Sequence, residues 1–173
     1  MSDSPVAISI SRFRNLANIV RTKPWLIWCA LLPVAAAFFA LGIRHEPLWF
    51  DEAYTAAMAG RSLGDNIRIA ADDIHAPLYH LGLRLFAIVS GRSEGALRLF
   101  SLLGALALVA LGAGPIRRLF GVRTALCFSV LVIFSPIVSG FAQEARMYTW
   151  AAFFVTAAYV YGVLALRENR RRD

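Results

Sequence analysis

Residues 25–43 read Trp-Leu-Ile-Trp-Cys-Ala-Leu-Leu-Pro-Val-Ala-Ala-Ala-Phe-Phe-Ala-Leu-Gly-Ile, an uncharged run whose length decides the fold. A helix needs about 20 consecutive apolar residues to cross a hydrocarbon core, and this run supplies them. Arg12, Arg14, Arg21 and Lys23 precede it, and basic residues flanking a span stay on the cytoplasmic side. A cleaved signal peptide is the rival reading. Its apolar region normally runs about 7–15 residues and starts earlier. The run is therefore expected to be a retained first span, with residues 1–24 as a cytoplasmic segment. Residues 6–20 mix apolar side chains with Arg and Asn, which suits a helix lying on the inner surface.

Three further runs of spanning length lie outward from the first, at 96–114, 124–141 and 148–166. Composition agrees with a bilayer solvent. The chain is 58% hydrophobic with mean hydropathy +0.59, against roughly 45–50% apolar in a soluble domain. A net charge of +7 raises the question of nucleic acid, but the basic residues alternate with apolar blocks and form no single patch. No nucleic-acid partner is expected. Cys29 and Cys127 sit inside apolar runs, where a thiol behaves as a small hydrophobe.

Residues 75–90 are apolar but short, and carry His80 and Arg84. If this segment crosses the membrane, Arg117, Arg118, Arg123 and the terminal Arg170, Arg171 and Arg172 fall outside, against the positive-inside tendency. If it lies in the interface, both groups fall inside. With Arg167 and the four residues before the first span, 11 of the 18 basic residues are then cytoplasmic. The expectation is an all-α polytopic membrane bundle in a bacterial inner (plasma) membrane, N-terminus cytoplasmic. It comprises about four transmembrane helices and two juxtamembrane helices in an outer loop, 44–95. Residues 25–166 form the membrane module and 167–173 a cytoplasmic basic tail.

Chemistry is then sought on the outer face. Leu48-Trp49-Phe50-Asp51-Glu52-Ala53-Tyr54 follows the first span and opens a helix. Asp51 could be a helix cap and Glu52 a dipole partner, or either could be a catalytic carboxylate. Adjacent helical positions point about 100° apart, so only one can face a given centre. His75-Ala76-Pro77-Leu78-Tyr79-His80, with Arg84 beyond, offers cations near the membrane surface that suit a lipid phosphate or simple snorkelling. Gln143-Glu144-Ala145-Arg146-Met147-Tyr148 lies between two spans, where a plain connection would more often hold Gly, Ser or Asn. The topology puts Glu144 and Arg146 on the face that carries Asp51, His75 and Arg84. No phosphate loop, Cys/His metal spacing or nucleophile elbow occurs.

The order Trp49-Phe50-Asp51-Glu52-Ala53-Tyr54, His75-Ala76-Pro77-Leu78-Tyr79, Ala96-Leu97-Arg98-Leu99 and Gln143-Glu144-Ala145-Arg146-Met147-Tyr148 resembles the N-terminal module of GT-C glycosyltransferases. That group contains protein O-mannosyltransferases, aminoarabinose transferases and bacterial family-39-like sugar transferases. The resemblance covers roughly residues 25–166. It implies an inverting membrane glycosyltransferase that moves a sugar from a polyprenyl-phosphate donor to a hydroxyl of a lipid, glycan or protein acceptor on the outer face. Asp51 matches the catalytic acid and Glu52 the acid beside it. His75, Arg84, Glu144, Arg146 and Tyr148 are expected around the donor phosphate or substrate. Ala76-Pro77 stands where family members usually have two prolines after the histidine. Members also have more spans, so the chain is expected to be a fragment, a truncated gene product or one half of a split enzyme, its tail resembling a loop before another span. No cofactor is implied, although a divalent metal bridging Asp51 and the phosphate is chemically allowed. The alternative is a non-catalytic membrane protein, a carrier subunit or assembly partner keeping the module without turnover. Carriers commonly place charge near mid-bilayer, whereas the expected spans carry only Arg98, near an end.

Overall fold

A computed structural model describes residues 22–43, 47–72 and 77–169. His75, Arg44 and nearly all of the N-terminal and C-terminal basic segments lie outside the described residues. Within them the chain is helical: α1 Leu26–Ala40, α2 Phe50–Gly60, α3 Leu63–Asp72, α4 Pro77–Ser90, α5 Glu94–Ala110, α6 Arg117–Phe134, α7 Pro136–Ala142 and α8 Tyr148–Asn169. A short π-helical stretch, Gly112–Ile116, joins α5 to α6.

Two helical stretches, Glu94–Phe134 and Tyr148–Asn169, are long and apolar enough to cross a membrane. The first is not straight. Gly121 sits at φ +82°, ψ 171°, a conformation that costs other residues a Cβ clash, and beyond it the chain folds back along α5. Ser129 Oγ donates to the Val109 carbonyl at 3.1 Å, and Ile133 packs in one cluster with Leu102, Ala105 and Val109. As residue numbers rise along α6 they fall along α5, so the two form an antiparallel hairpin. The arms touch closely at Gly112, where a Cβ would run into Ser129 Oγ and, at 2.8 Å, the Trp28 indole nitrogen.

The expected four spans thus resolve less evenly than the hydropathy. Helix α1 has 15 residues, about 22 Å at 1.5 Å per residue, short of a core of about 30 Å. Single turns extend it at both ends, through Leu26 N–H to Lys23 O and Ile43 N–H to Ala40 O. The expected run 124–141 is broken at Ser135. Proline at 136 forces the preceding residue out of the helical region; Ser135 is extended and its Oγ instead caps α7 by accepting from Val138 N–H at 3.4 Å.

The expectation of two juxtamembrane helices within 44–95 is corrected: the described residues of that segment hold three helices, α2, α3 and α4. Arg61 is extended. Ser62 then opens α3 as its N-cap: its Oγ accepts from Asp65 N–H at 3.1 Å and donates to the Asp65 carboxylate at 2.6 Å. Helix α4 has 14 residues, about 21 Å, which agrees with a segment too short to cross.

Helix α5 is the hub. One face packs on α1 through Leu102, Ala105 and Val109. Another meets α1 and α8 through Leu108, with Trp28 and Val160, and its N-terminal turns meet α2 and α4 through Leu97. Helix α8, by contrast, buries only Thr149 and Val160. It leaves Phe154, Val155, Tyr159, Tyr161 and Leu166 exposed, an apolar surface that no other described element covers.

Candidate functional site

Trp49 is the N-cap of α2 and makes no side-chain cap, so Asp51 does not cap the helix. Asp51 and Glu52 occupy its first turn, and the angle between them sends them to different partners. Glu52 is fully buried. Its Oε1 accepts from Arg98 Nε at 2.9 Å and from the Ala145 backbone N–H at 2.7 Å, and its Oε2 accepts from Arg98 Nη2 at 2.7 Å. Arg98 Nη1 also donates to the Ile43 carbonyl at 3.0 Å. One bidentate pair therefore joins α2, α5, the end of the first apolar run and the loop before α8. Burial alone would push the Glu52 carboxyl up, but the Arg98 hydrogen bonds and charge and the Ala145 and Trp49 amides hold it below its ordinary value.

Asp51 takes the other direction. Its carboxylate, 35% exposed, lies 3.4 Å from Arg146 Nη2, and Arg146 Nη1 reaches the Asp51 carbonyl at 3.5 Å. Arg146 is itself buried, with its guanidinium over the Tyr148 ring at 5.7 Å. The loop carrying it is tied down from below. Ser101 Oγ donates to the Arg146 carbonyl at 2.9 Å, Thr149 Oγ1 donates to the Ser101 carbonyl at 2.7 Å, and the Tyr79 hydroxyl lies 3.1 Å from Ser101 Oγ. Burial raises the Tyr79 phenol above its usual range, so it serves here as a neutral hydrogen-bonding group.

A cleft of about 350 Å³ opens beside this cluster, lined by Gly42, Trp49, Glu52, Arg98, Gln143 and Glu144 among others. Glu144 is half-buried, and its carboxyl is raised, first by burial and then by the neighbouring Glu52 charge, with Arg146 and Arg98 opposing. Asp51 is not part of the cleft lining; it stands on the Arg146 side of the same loop.

Five of the expected site residues, Asp51, Glu52, Glu144, Arg146 and Tyr148, are thus brought together although they come from two segments far apart in sequence. Arg84 is not. It lines a separate cleft with Gly60, the last residue of α2, about 13 Å along the helix from Asp51. Arg98 was legible as a charge in an apolar run but not as the partner of Glu52; an ionisable group at such a position needs a counter-charge. Among the described residues no three His, Cys, Asp or Glu side chains converge as a metal cage. No protein-family model, curated protein or solved structure matches the chain.

Proposed function

We propose that this chain is a membrane glycosyltransferase, or the N-terminal part of one, acting on a polyprenyl-phosphate sugar at the outer face of a bacterial inner membrane. The observation that carries the reading is the part-exposed Asp51 carboxylate held beside the Arg146 guanidinium. A base and a phosphate-matching cation adjoin there. The motif order that resembles GT-C transferases supports the same reading. In this proposal α1, the two arms of the hairpin and α8 are the four crossings, and α2, α3 and α4 lie at the outer surface.

In the reaction, Asp51 accepts the proton of the acceptor hydroxyl as its oxygen bonds to the anomeric carbon from the face opposite the phosphate. The sugar-phosphate C–O bond breaks, its electron pair stays on the lipid phosphate, and the configuration inverts. Arg146 offsets the charge left on the phosphate. The buried Glu52–Arg98 pair positions the first turn of α2 and takes no proton. An apolar pocket of about 220 Å³ lies one residue from Arg146, lined by Tyr79, Gly82, Phe100, Met147, Trp150 and Phe154 among others. It suits a stretch of the donor's hydrocarbon tail.

Glu144 is the competing base, favoured by its place in the cleft and its raised carboxyl. The deciding experiment is sugar transfer from a polyprenyl-phosphate donor by membranes containing the chain, compared for wild type, Asp51→Asn and Glu144→Gln. Loss of about 10²–10⁴-fold in Asp51→Asn alone is expected. The same loss confined to Glu144→Gln moves the role to that residue. Absence of transfer by the wild type, with the lipid bound all the same, favours the non-catalytic carrier or assembly partner.

A further inference from the structure

At the opposite end of α2 from Asp51 lies a second cleft of about 360 Å³, lined by Ala59, Gly60, Arg84, Ala87, Ile88 and Arg92. Both charged residues of its lining are arginines. Neither has a carboxylate or hydrogen-bond partner among the described residues. Arg92 lies against Gly60, where a cation complements the carbonyl end of α2. That accounts for Arg92 but leaves Arg84, on α4, lining the same space. Two like charges sharing a cleft repel, and an anion between them relieves both. Guanidinium forks match phosphate oxygens in particular.

The surroundings choose between a free phosphate and a lipid. Leu85, Ile88 and Val89 share one face of α4 and are 63%, 70% and 91% exposed, and Ile88 also lines the cleft. Arg92 stands two residues before α5, the first helix of the stretch long enough to cross a membrane. Apolar side chains and paired cations therefore meet where hydrocarbon gives way to headgroups. We propose that Arg84 and Arg92 hold the headgroup phosphate of an anionic phospholipid whose acyl chains rest on the Leu85, Ile88 and Val89 face. This rests on α4 lying at the membrane surface and is independent of the transferase chemistry.

Native mass spectrometry of the full chain, released from neutral detergent, reads the fraction retaining phosphatidylglycerol, phosphatidylcholine or soluble glycerol phosphate. Phosphatidylglycerol should be retained well above the other two. Each basic residue at an anionic surface is worth about fivefold, so Arg84→Gln and Arg92→Gln should each lower retention by about that factor, and the double variant by more. Arg92→Gln changes an exposed side chain and keeps the test valid where the double variant fails to fold. Arg68→Gln removes the same charge from exposed α3 and should retain lipid as wild type does. Unchanged retention in both single variants overturns the proposal. So does an equal loss in Arg68→Gln, or displacement of the lipid by glycerol phosphate at equal concentration. Loss of sugar transfer in Asp51→Asn with lipid retention intact separates this site from the reaction centre.

Discussion

Two neighbouring carboxylates differ here in what they are for, and the difference is measurable. Glu52→Ala leaves Arg98 buried without its counter-charge, which should cost about 3–5 kcal/mol, read as a fall in the unfolding midpoint in detergent. Asp51→Ala removes half of a part-exposed pair and should cost about 1 kcal/mol or less. Equal losses would mean that both acids hold the fold. Acid sensitivity has a definite sign as well. The folded Glu52 carboxyl lies below its ordinary value of 4.5. Its contribution is therefore present above that value and is lost as pH falls through the lower folded value. Glu144 is raised, so its contribution is present at lower pH and is lost as pH rises through its folded value. Unfolding midpoints followed from neutral pH downward should drop in the acid limb, and Glu52→Gln should flatten that limb; an unchanged limb would assign the acid loss to other carboxylates. That Asp51 and Glu52 point apart was legible from helix geometry alone. Which of them faces Arg98 was not, because that depends on the rotation of α2 against α5, set by Leu97, Ala59 and Leu83 in their shared cluster.

Helix boundaries followed local chemistry more closely than hydropathy. The run 148–166 was readable as a long helix because nothing in it interrupts the ladder, whereas 96–114 is α-helical only as far as Ala110 and passes into the π-helical stretch at Gly112. The run 124–141 was not readable as two helices by apolar content, although Ser135-Pro136 marks the break. Ser62 and Asp65 stood in plain view as an N-cap and a first-turn acid, yet the low apolar content of α3 hid a helix whose start depends on that cap. Ser62→Ala should cost about 1 kcal/mol, seen as faster amide hydrogen exchange confined to α3; exchange spread over α2 and α4 as well would make the loop a single cooperative unit. Gly121 is the counterpart in the long apolar stretch Glu94–Phe134. Alanine at φ +82°, ψ 171° enters a backbone region kept almost wholly to glycine and carries a penalty of about 1–3 kcal/mol, so Gly121→Ala should lower the unfolding midpoint while leaving the first turn of α2 unchanged. A neutral result would mean that the reversal at 121 relaxes into an ordinary helix.

For the molecule as a whole, the arrangement is testable by side. With Cys29 and Cys127 replaced by alanine, a cysteine at Gly64, where there is open space for a side chain, should react with an impermeant maleimide added outside intact cells. One at Arg118, beside the hairpin turn, should react only after permeabilisation, and labelling of both from outside would overturn the proposed topology. The all-helical character was foreseeable from the long apolar runs, and the clustering of Glu144 and Arg146 with Asp51 from charge placement. The count of crossings was not, since the short α1 and the broken 124–141 run leave two stretches that meet the length on their own. The Glu52 carboxylate adds a constraint on how such a chain is made. Its partners lie 46 and 93 residues further along, so a ribosome delivers the acid first, Arg98 later, and the Ala145 amide when most of the described chain exists. Until that amide is made, Glu52 lacks one of its hydrogen bonds, so the first turn of α2 is fully anchored only after everything from Glu52 to Ala145 has been synthesised.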